Sequence, residues 1–143
     1  METTCAYLAG AIDIDGFISI DRRAGRQGIG YRVRIGISDT SPVVPNLLHG
    51  LFAGRLFEIA PKKSSYAHFY MWEAEHHQAR EPLLRLLPHF RLKRRHAELA
   101  LALMDLVEQQ NAGAEQDAER RRLYEEMAIL NAGRRRRKHR VQA

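Results

Sequence analysis

The sequence carries one cysteine, Cys5, and one tryptophan, Trp72. A lone thiol excludes a disulfide framework and a multi-cysteine zinc site within the chain, and it fits a reducing compartment. Long apolar runs are missing too. None approaches the length that spans a bilayer, and Met1-Glu2-Thr3-Thr4 lacks the basic n-region of a signal peptide. The expectation is a soluble, intracellular protein. Acid is in short supply: 17 Asp and Glu stand against 23 Lys and Arg, a formal charge of +6, with a pI near 9.9. Most of the surplus is arginine, whose planar fork suits phosphate and guanine edges, so nucleic acid leads the list of partner classes.

What is present is enough for one ordinary domain. The chain has 143 residues, 45% of them hydrophobic, which supports a real core rather than disorder. Residues Thr3 to Ile14 read as a helix, capped by Thr3 or Thr4 and ended at Gly16. Leu8, Ala11 and Ile12 form one apolar stripe. Ala6, Ala9 and Gly10 are small, so two backbones can approach closely there. Two period-two runs follow, Phe17–Arg23 and Tyr31–Ser38, around a Gly-rich turn at Ala24–Gly30. In the second, Val33, Ile35 and Ile37 alternate with Arg32, Arg34 and Gly36, which predicts a hairpin with one buried and one basic face.

Asp39-Thr40-Ser41-Pro42 opens a second helix by cap and proline signals, and Gly54 closes it. A second hairpin pairs Arg55–Ala60 with Tyr66–Ala74 through Pro61–Ser65. Its last strand puts His68, Tyr70 and Trp72 on one face and Phe69 and Met71 on the other, and the pattern leaves open which face meets the core. Helices are predicted over Gln78–Leu87, Lys93–Gln110 and Glu115–Asn131. A basic run, Arg134 to Arg140, ends the chain. Residues 1–131 read as a single domain and 132–143 as a flexible basic tail, with phosphate contact favoured for the tail over a nuclear-address role or a merely solvated end. The class is α+β, in the order αββαββα with extra C-terminal helices. Seven histidines, His76-His77 among them, read as surface residues, because adjacent positions do not share a helix face.

The stretch Tyr7 to Ile20, YLAGAIDIDGFISI, resembles the signature of the LAGLIDADG homing endonucleases, with Ala11 in place of Leu and Ile14 in place of Ala. A second block, FRLKRRHAEL from Phe90 to Leu99, is similar to the segment where that family places a lysine of its catalytic pocket. The resemblance covers roughly residues 5 to 110. It implies an αββαββα fold whose antiparallel sheet forms a saddle over the DNA major groove. One motif per chain implies a homodimer with the signature helices packed at the two-fold axis, reading a long pseudo-palindromic site. It further implies a metal-dependent double-strand cut that leaves 3′ overhangs, tied to intron or intein mobility, in a bacterial or phage cytoplasm or an organelle. A cleavage-inactive DNA-binding protein or an RNA maturase of the same fold is the alternative.

Carried over residue by residue, the resemblance implies that Asp15 binds the metal, with the backbone carbonyl of Ile14 of the partner subunit completing the coordination. An acid at a helix C-terminus is disfavoured by the macrodipole, which itself asks for a functional reason. Mg²⁺ is the implied ion, with Mn²⁺ as a substitute and Ca²⁺ supporting binding only. Lys93 falls near the attacking water or the scissile phosphate, and Asp39 where a polar residue orders pocket water. Asp13 supports the helix end and, with Ala6, Ala9 and Gly10, the dimer interface. The DNA-reading set is Ser19, Asp21, Arg23, Arg32 and Arg34, extended outward by Arg55, Lys62 and Lys63. Phe17 shares their parity and is unusual on a polar face, with the dimer seam or thymine methyl groups as its candidate neighbours.

Overall fold

The computed structural model describes residues 2–26, 28–60, 68–108 and 113–142, with side chains in the last helix up to residue 133. Lys62 and Lys63 lie outside the described residues. The order is α1 (Glu2–Asp15), β1 (Gly16–Gly25), β2 (Gly28–Asp39), α2 (Val43–Phe52), β3 (Arg55–Ile59), β4 (Phe69–Glu75), α3 (His77–Leu86), a 3-10 turn (Leu87–His89), α4 (Arg94–Glu108) and α5 (Ala114–Gln142). The four strands form one antiparallel sheet in the order β1-β2-β4-β3.

The alternation expected in the first hairpin sets the two faces of the sheet. Ile18 and Ile20 of β1, Val33, Ile35 and Ile37 of β2, and Trp72 and Ala74 of β4 are buried against the helices. The residues between them point outward, as a pleat of period two requires. The inward side of β4 is therefore its Trp72 side, which the sequence pattern left undecided. Trp72 is fully buried, and its indole N–H donates to the Ala53 carbonyl at 2.6 Å. That bond secures the α2–β3 turn, where Gly54 takes a φ of +91°.

Helix α1 buries Cys5, Leu8, Ala9, Ile12 and Asp13. Its chain enters β1 with no intervening loop, Gly16 pairing at once with Ile37. Only glycine fits there: a Cβ on Gly16 would stand 2.7 Å from the Gly36 carbonyl oxygen and 2.8 Å from the Ile12 Cα. The glycine that ends the signature is thus set by close packing of helix end against hairpin. Both strands of that hairpin run further into the Gly-rich segment than expected, to Gly25 and from Gly28, because backbone pairing there needs no apolar alternation.

Helix α5 runs along the free edge of β1, where Asn131 Nδ2 donates to the Ile18 carbonyl at 3.1 Å. Its buried Leu123 and Met127 join the core, and Tyr124 packs on Tyr31 with ring centroids 5.6 Å apart and the planes tilted by 45°. The helical backbone continues past Asn131 to Gln142, into the stretch read as a flexible tail, while the side chains of Arg134 to Arg140 lie outside the described residues. No helix among the described residues is long and apolar enough to cross a membrane.

Candidate functional site

Asp13 and Asp15 sit two residues apart at the foot of α1 and meet opposite environments. Asp13 turns inward and is 7% exposed, whereas Asp15 is exposed. Its partners explain why a carboxylate is tolerated inside. Asp13 Oδ2 accepts the backbone N–H of Arg91 at 2.9 Å, and Oδ1 accepts that of Lys93 at 3.0 Å. Lys93, 6% exposed, donates its ammonium to the backbone carbonyl of Asp13 at 2.8 Å. That carbonyl is in the last turn of α1, where no intrahelical donor remains and the macrodipole is negative. The pair thus clips the end of α1 to the loop that leads into α4. It brings the two blocks of the family-like sequence together, with the Lys93 ammonium on the main chain two residues before Asp15.

Asp39, the last residue of β2, belongs to the same end of the sheet. The register pairs Gly16 with Ile37, two residues before Asp39, so the start of β1 and the end of β2 lie at one end of the sheet. Asp39 is half-buried and accepts a long hydrogen bond from the Thr40 hydroxyl at 3.5 Å. The Asp15 carboxylate and the main-chain carbonyls that end α1 are oxygen donors, the class that hard divalent ions take. Among the described residues no group of three or more His, Cys, Asp or Glu side chains could enclose a metal.

Helix α1 also shows a free stripe. Thr3, Ala6, Tyr7, Gly10 and Ile14 are exposed at helical spacing, Tyr7 by 55% and Ile14 by 68%. A Cβ on Gly10 would meet nothing within 4 Å. Ala6 and Gly10 stand on this stripe as expected, but Ala9 and Asp13 do not. They are buried in their own chain, because the 3.6-residue period carries them to the core side with Leu8 and Ile12. Tyr7 and Ile14 are the large apolar members of the exposed stripe. Asp15 lies directly beyond Ile14.

The outward sheet face carries the arginines that the sequence put there, together with acids it did not. Phe17, Ser19, Asp21 and Arg23 of β1 and Arg32 and Arg34 of β2 point outward, and Arg55 of β3 joins them across Glu73. Glu73 is only 4% exposed and serves two arginines, Arg34 Nη2 at 2.8 Å and Arg55 Nη1 at 3.2 Å. Glu75 lies 3.2 Å from Arg32 Nη1 and 3.3 Å from Arg34 Nε, and Asp21 accepts from Arg34 Nη1 at 3.4 Å. Burial opposes the Arg34 charge, but the Glu73 hydrogen bond, with Asp21, Glu73 and Glu75 nearby, outweighs it and raises the guanidinium pKa above its ordinary value. Phe17 now has a place. The Arg34 guanidinium stacks over its ring at 5.3 Å, and the ring lies over Gly36, where a Cβ would come within 2.8 Å of it. Glu73 and Glu75 escaped the sequence reading because the face of β4 was ambiguous. The alternation of Trp72 and Ala74 with Met71, Glu73 and Glu75 is the signal that would have found them.

No family model and no curated protein sequence matches the chain. Solved structures do. The homing endonuclease I-CvuI, in complex with its target in the presence of 2 mM Ca, shares 19% identity at a TM-score of 0.70, over 90% of this chain and 82% of its own. The archaeal intron-encoded homing endonuclease I-Vdi141I, complexed with DNA, matches at 0.71 with 11% identity, over 90% and 84%. The I-SmaMI LAGLIDADG homing endonuclease, bound to cleaved DNA, matches at 0.66 with 14% identity, over 91% of this chain but 47% of its own. The chain has the LAGLIDADG homing endonuclease fold. The sheet order, the helix that hands over directly to β1, and the exposed stripe of α1 are the features of this LAGLIDADG fold that place the candidate residues. The chain spans about half of I-SmaMI and most of I-CvuI, so it amounts to one αββαββα unit.

Proposed function

We propose that the protein is a site-specific homing endonuclease, a homodimer that makes a metal-dependent double-strand cut in a long pseudo-palindromic DNA site and leaves 3′ overhangs. The observation that carries this reading is the exposed Asp15 at the foot of the exposed α1 stripe, beside a Lys93 held by Asp13. Pairing two α1 stripes through Ala6, Tyr7, Gly10 and Ile14 covers their apolar surface and brings two Asp15 carboxylates to one axis. DNA complexes of I-CvuI and I-Vdi141I support DNA as the partner, and the outward sheet face supplies Ser19, Asp21, Arg23, Arg32, Arg34 and Arg55 to its groove. Alternate residues on a strand lie ~6.6 Å apart, near the rise of two base steps, so one strand can follow successive bases. Lys62, Lys63 and the basic run at Arg134 to Arg140 extend the footprint to phosphates.

The chain's own residues divide the work as follows. Asp15, with the carbonyl of Ile14 of the partner subunit, would hold Mg²⁺ or Mn²⁺. When bound, a hard divalent ion supplies charge neutralisation at the scissile phosphate and a more acidic water. Lys93 adds fixed positive charge at the same helix end, and Asp13 keeps it there. Asp39 accepts hydrogen bonds from pocket water and orients it. The test is a duplex recovered by in vitro selection, incubated with Mg²⁺ or Ca²⁺. Cleavage of both strands with Mg²⁺, binding alone with Ca²⁺, and binding without cleavage for Asp15→Asn are expected. Continued cutting by Asp15→Asn would overturn the role of Asp15, and an intact duplex with every divalent ion would favour the cleavage-inactive alternative.

A further inference from the structure

The three central arginines of the outward face are committed before any ligand arrives. Arg32, Arg34 and Arg55 face Asp21, Glu73 and Glu75 in one connected network, three guanidinium groups against three carboxylates. Both terminal nitrogens of Arg34 are engaged, Nη2 by Glu73 and Nη1 by Asp21, and its guanidinium carbon lies over the Phe17 ring. The network is formally neutral although the chain carries a formal charge of +6. A surface that bound DNA through phosphates alone would gain nothing from these acids. Phosphate oxygens only accept hydrogen bonds, so taking the arginines would leave three carboxylates unpartnered beside further negative charge.

We propose that this network selects G·C pairs in the DNA site, resting on the reading of the sheet as the DNA face. A G·C pair shows the guanine O6 and N7 acceptors beside the cytosine N4 amino donor in the major groove. An arginine fork fits the first, and a carboxylate fits the second. Arg34 and the partly exposed Glu75 or Asp21 can exchange their bonds with each other for bonds to the two bases without orphaning either charge. An adenine in place of the guanine sets its N6 donor against the fork, and a thymine sets its methyl group against it. Glu73 is nearly buried and stays behind as a positioning residue, holding Arg34 and Arg55 at one spacing. The same arrangement penalises random duplex, because sequence-independent binding must break the network without replacing its acceptors.

The experiment is selection of bound duplexes by the wild-type protein and by Arg34→Ala and Glu75→Gln, with salt titrations on a random-sequence duplex. Loss of preference in Arg34→Ala marks the base pair that Arg34 faces, and that pair is expected to be G·C. Glu75→Gln is expected to relax preference about ten-fold at that pair or its neighbour. On random duplex it is expected to bind more tightly, with a log–log salt slope steeper by about one, since an arginine is released to a phosphate. Asp21→Asn repeats the test should Glu75→Gln melt below the wild type. An A·T pair at the marked position, or acid-to-amide variants that change neither selection nor slope, overturns the inference alone. A wild-type protein that enriches no duplex overturns the proposed function, and the inference with it.

Discussion

Asp13 and Lys93 hold each other through their main chains as well as their side chains. The carboxylate accepts the lysine's backbone N–H at 3.0 Å, and the ammonium donates to the aspartate's backbone carbonyl at 2.8 Å. This reciprocal clasp ties the signature helix to α4 and separates the roles of the two signature acids. Asp13 builds the end of the helix, and Asp15 is left outside.

Asp13→Ala removes the carboxylate that accepts the backbone N–H groups of Arg91 and Lys93, while the backbone carbonyl that takes the Lys93 ammonium remains. An unsatisfied buried donor costs about 1–3 kcal/mol, so a loss of about 2–5 kcal/mol is expected by denaturant unfolding. Asp15→Asn, at an exposed position, is expected to stay within about 0.5 kcal/mol of the wild type. Equal losses for the two variants would contradict the inward and outward assignment.

Lys93→Met keeps the length of the side chain but removes the donor to the helix end. A destabilisation of about 1–3 kcal/mol is expected, read by thermal melting. Cleavage of the selected duplex should fall by more than this stability loss explains at temperatures where the variant is fully folded. Wild-type cleavage rates there would confine Lys93 to a structural role.

Gly16→Ala sets a methyl group against two pieces of backbone, the Gly36 carbonyl and the Ile12 Cα, that cannot step aside singly. Overpacking of this kind costs about 1–3 kcal/mol. Gly10→Leu meets open space in the single chain and should leave the monomer fold intact. Light scattering is expected to show Gly10→Leu as a monomer where the wild type is a dimer. An unchanged dimer would place the interface elsewhere.

Arg95 holds α4 to α5 through a two-pronged bond to Glu126, at 2.8 and 3.0 Å. The Arg95 hydrogen bond, helped by its charge and that of Arg122, keeps the Glu126 pKa below the usual carboxylate range. A folded-state pKa below the unfolded one stabilises at pH above the unfolded value, and the benefit is lost as pH falls through the folded one. Docking of α5 should therefore weaken below about pH 4. Glu126→Gln should flatten this part of the acid-unfolding profile, and an unchanged profile would assign acid sensitivity to other groups.

Local pattern determined a good deal by itself. The alternation of Val33, Ile35 and Ile37 with Arg32 and Arg34 specified both the strand and its faces, since burial on one side of a pleat repeats every second residue. The period-two runs and the glycine ends specified the element order, although Thr3 and Thr4 lie inside α1 and do not cap it. The signature stretch singled out Asp15, and the second family-like block Lys93. The tertiary structure alone decided which side of α1 was free, and it moved Ala9 and Asp13 from the expected seam into the core. It alone joined Asp13 to Lys93 across 80 residues of chain. It also turned Glu73 and Glu75 outward onto the arginines. A sequence shows what one residue does to its near neighbours along the chain, whereas the charge, burial and hydrogen bonding that give a carboxylate its role come from segments brought together only by folding.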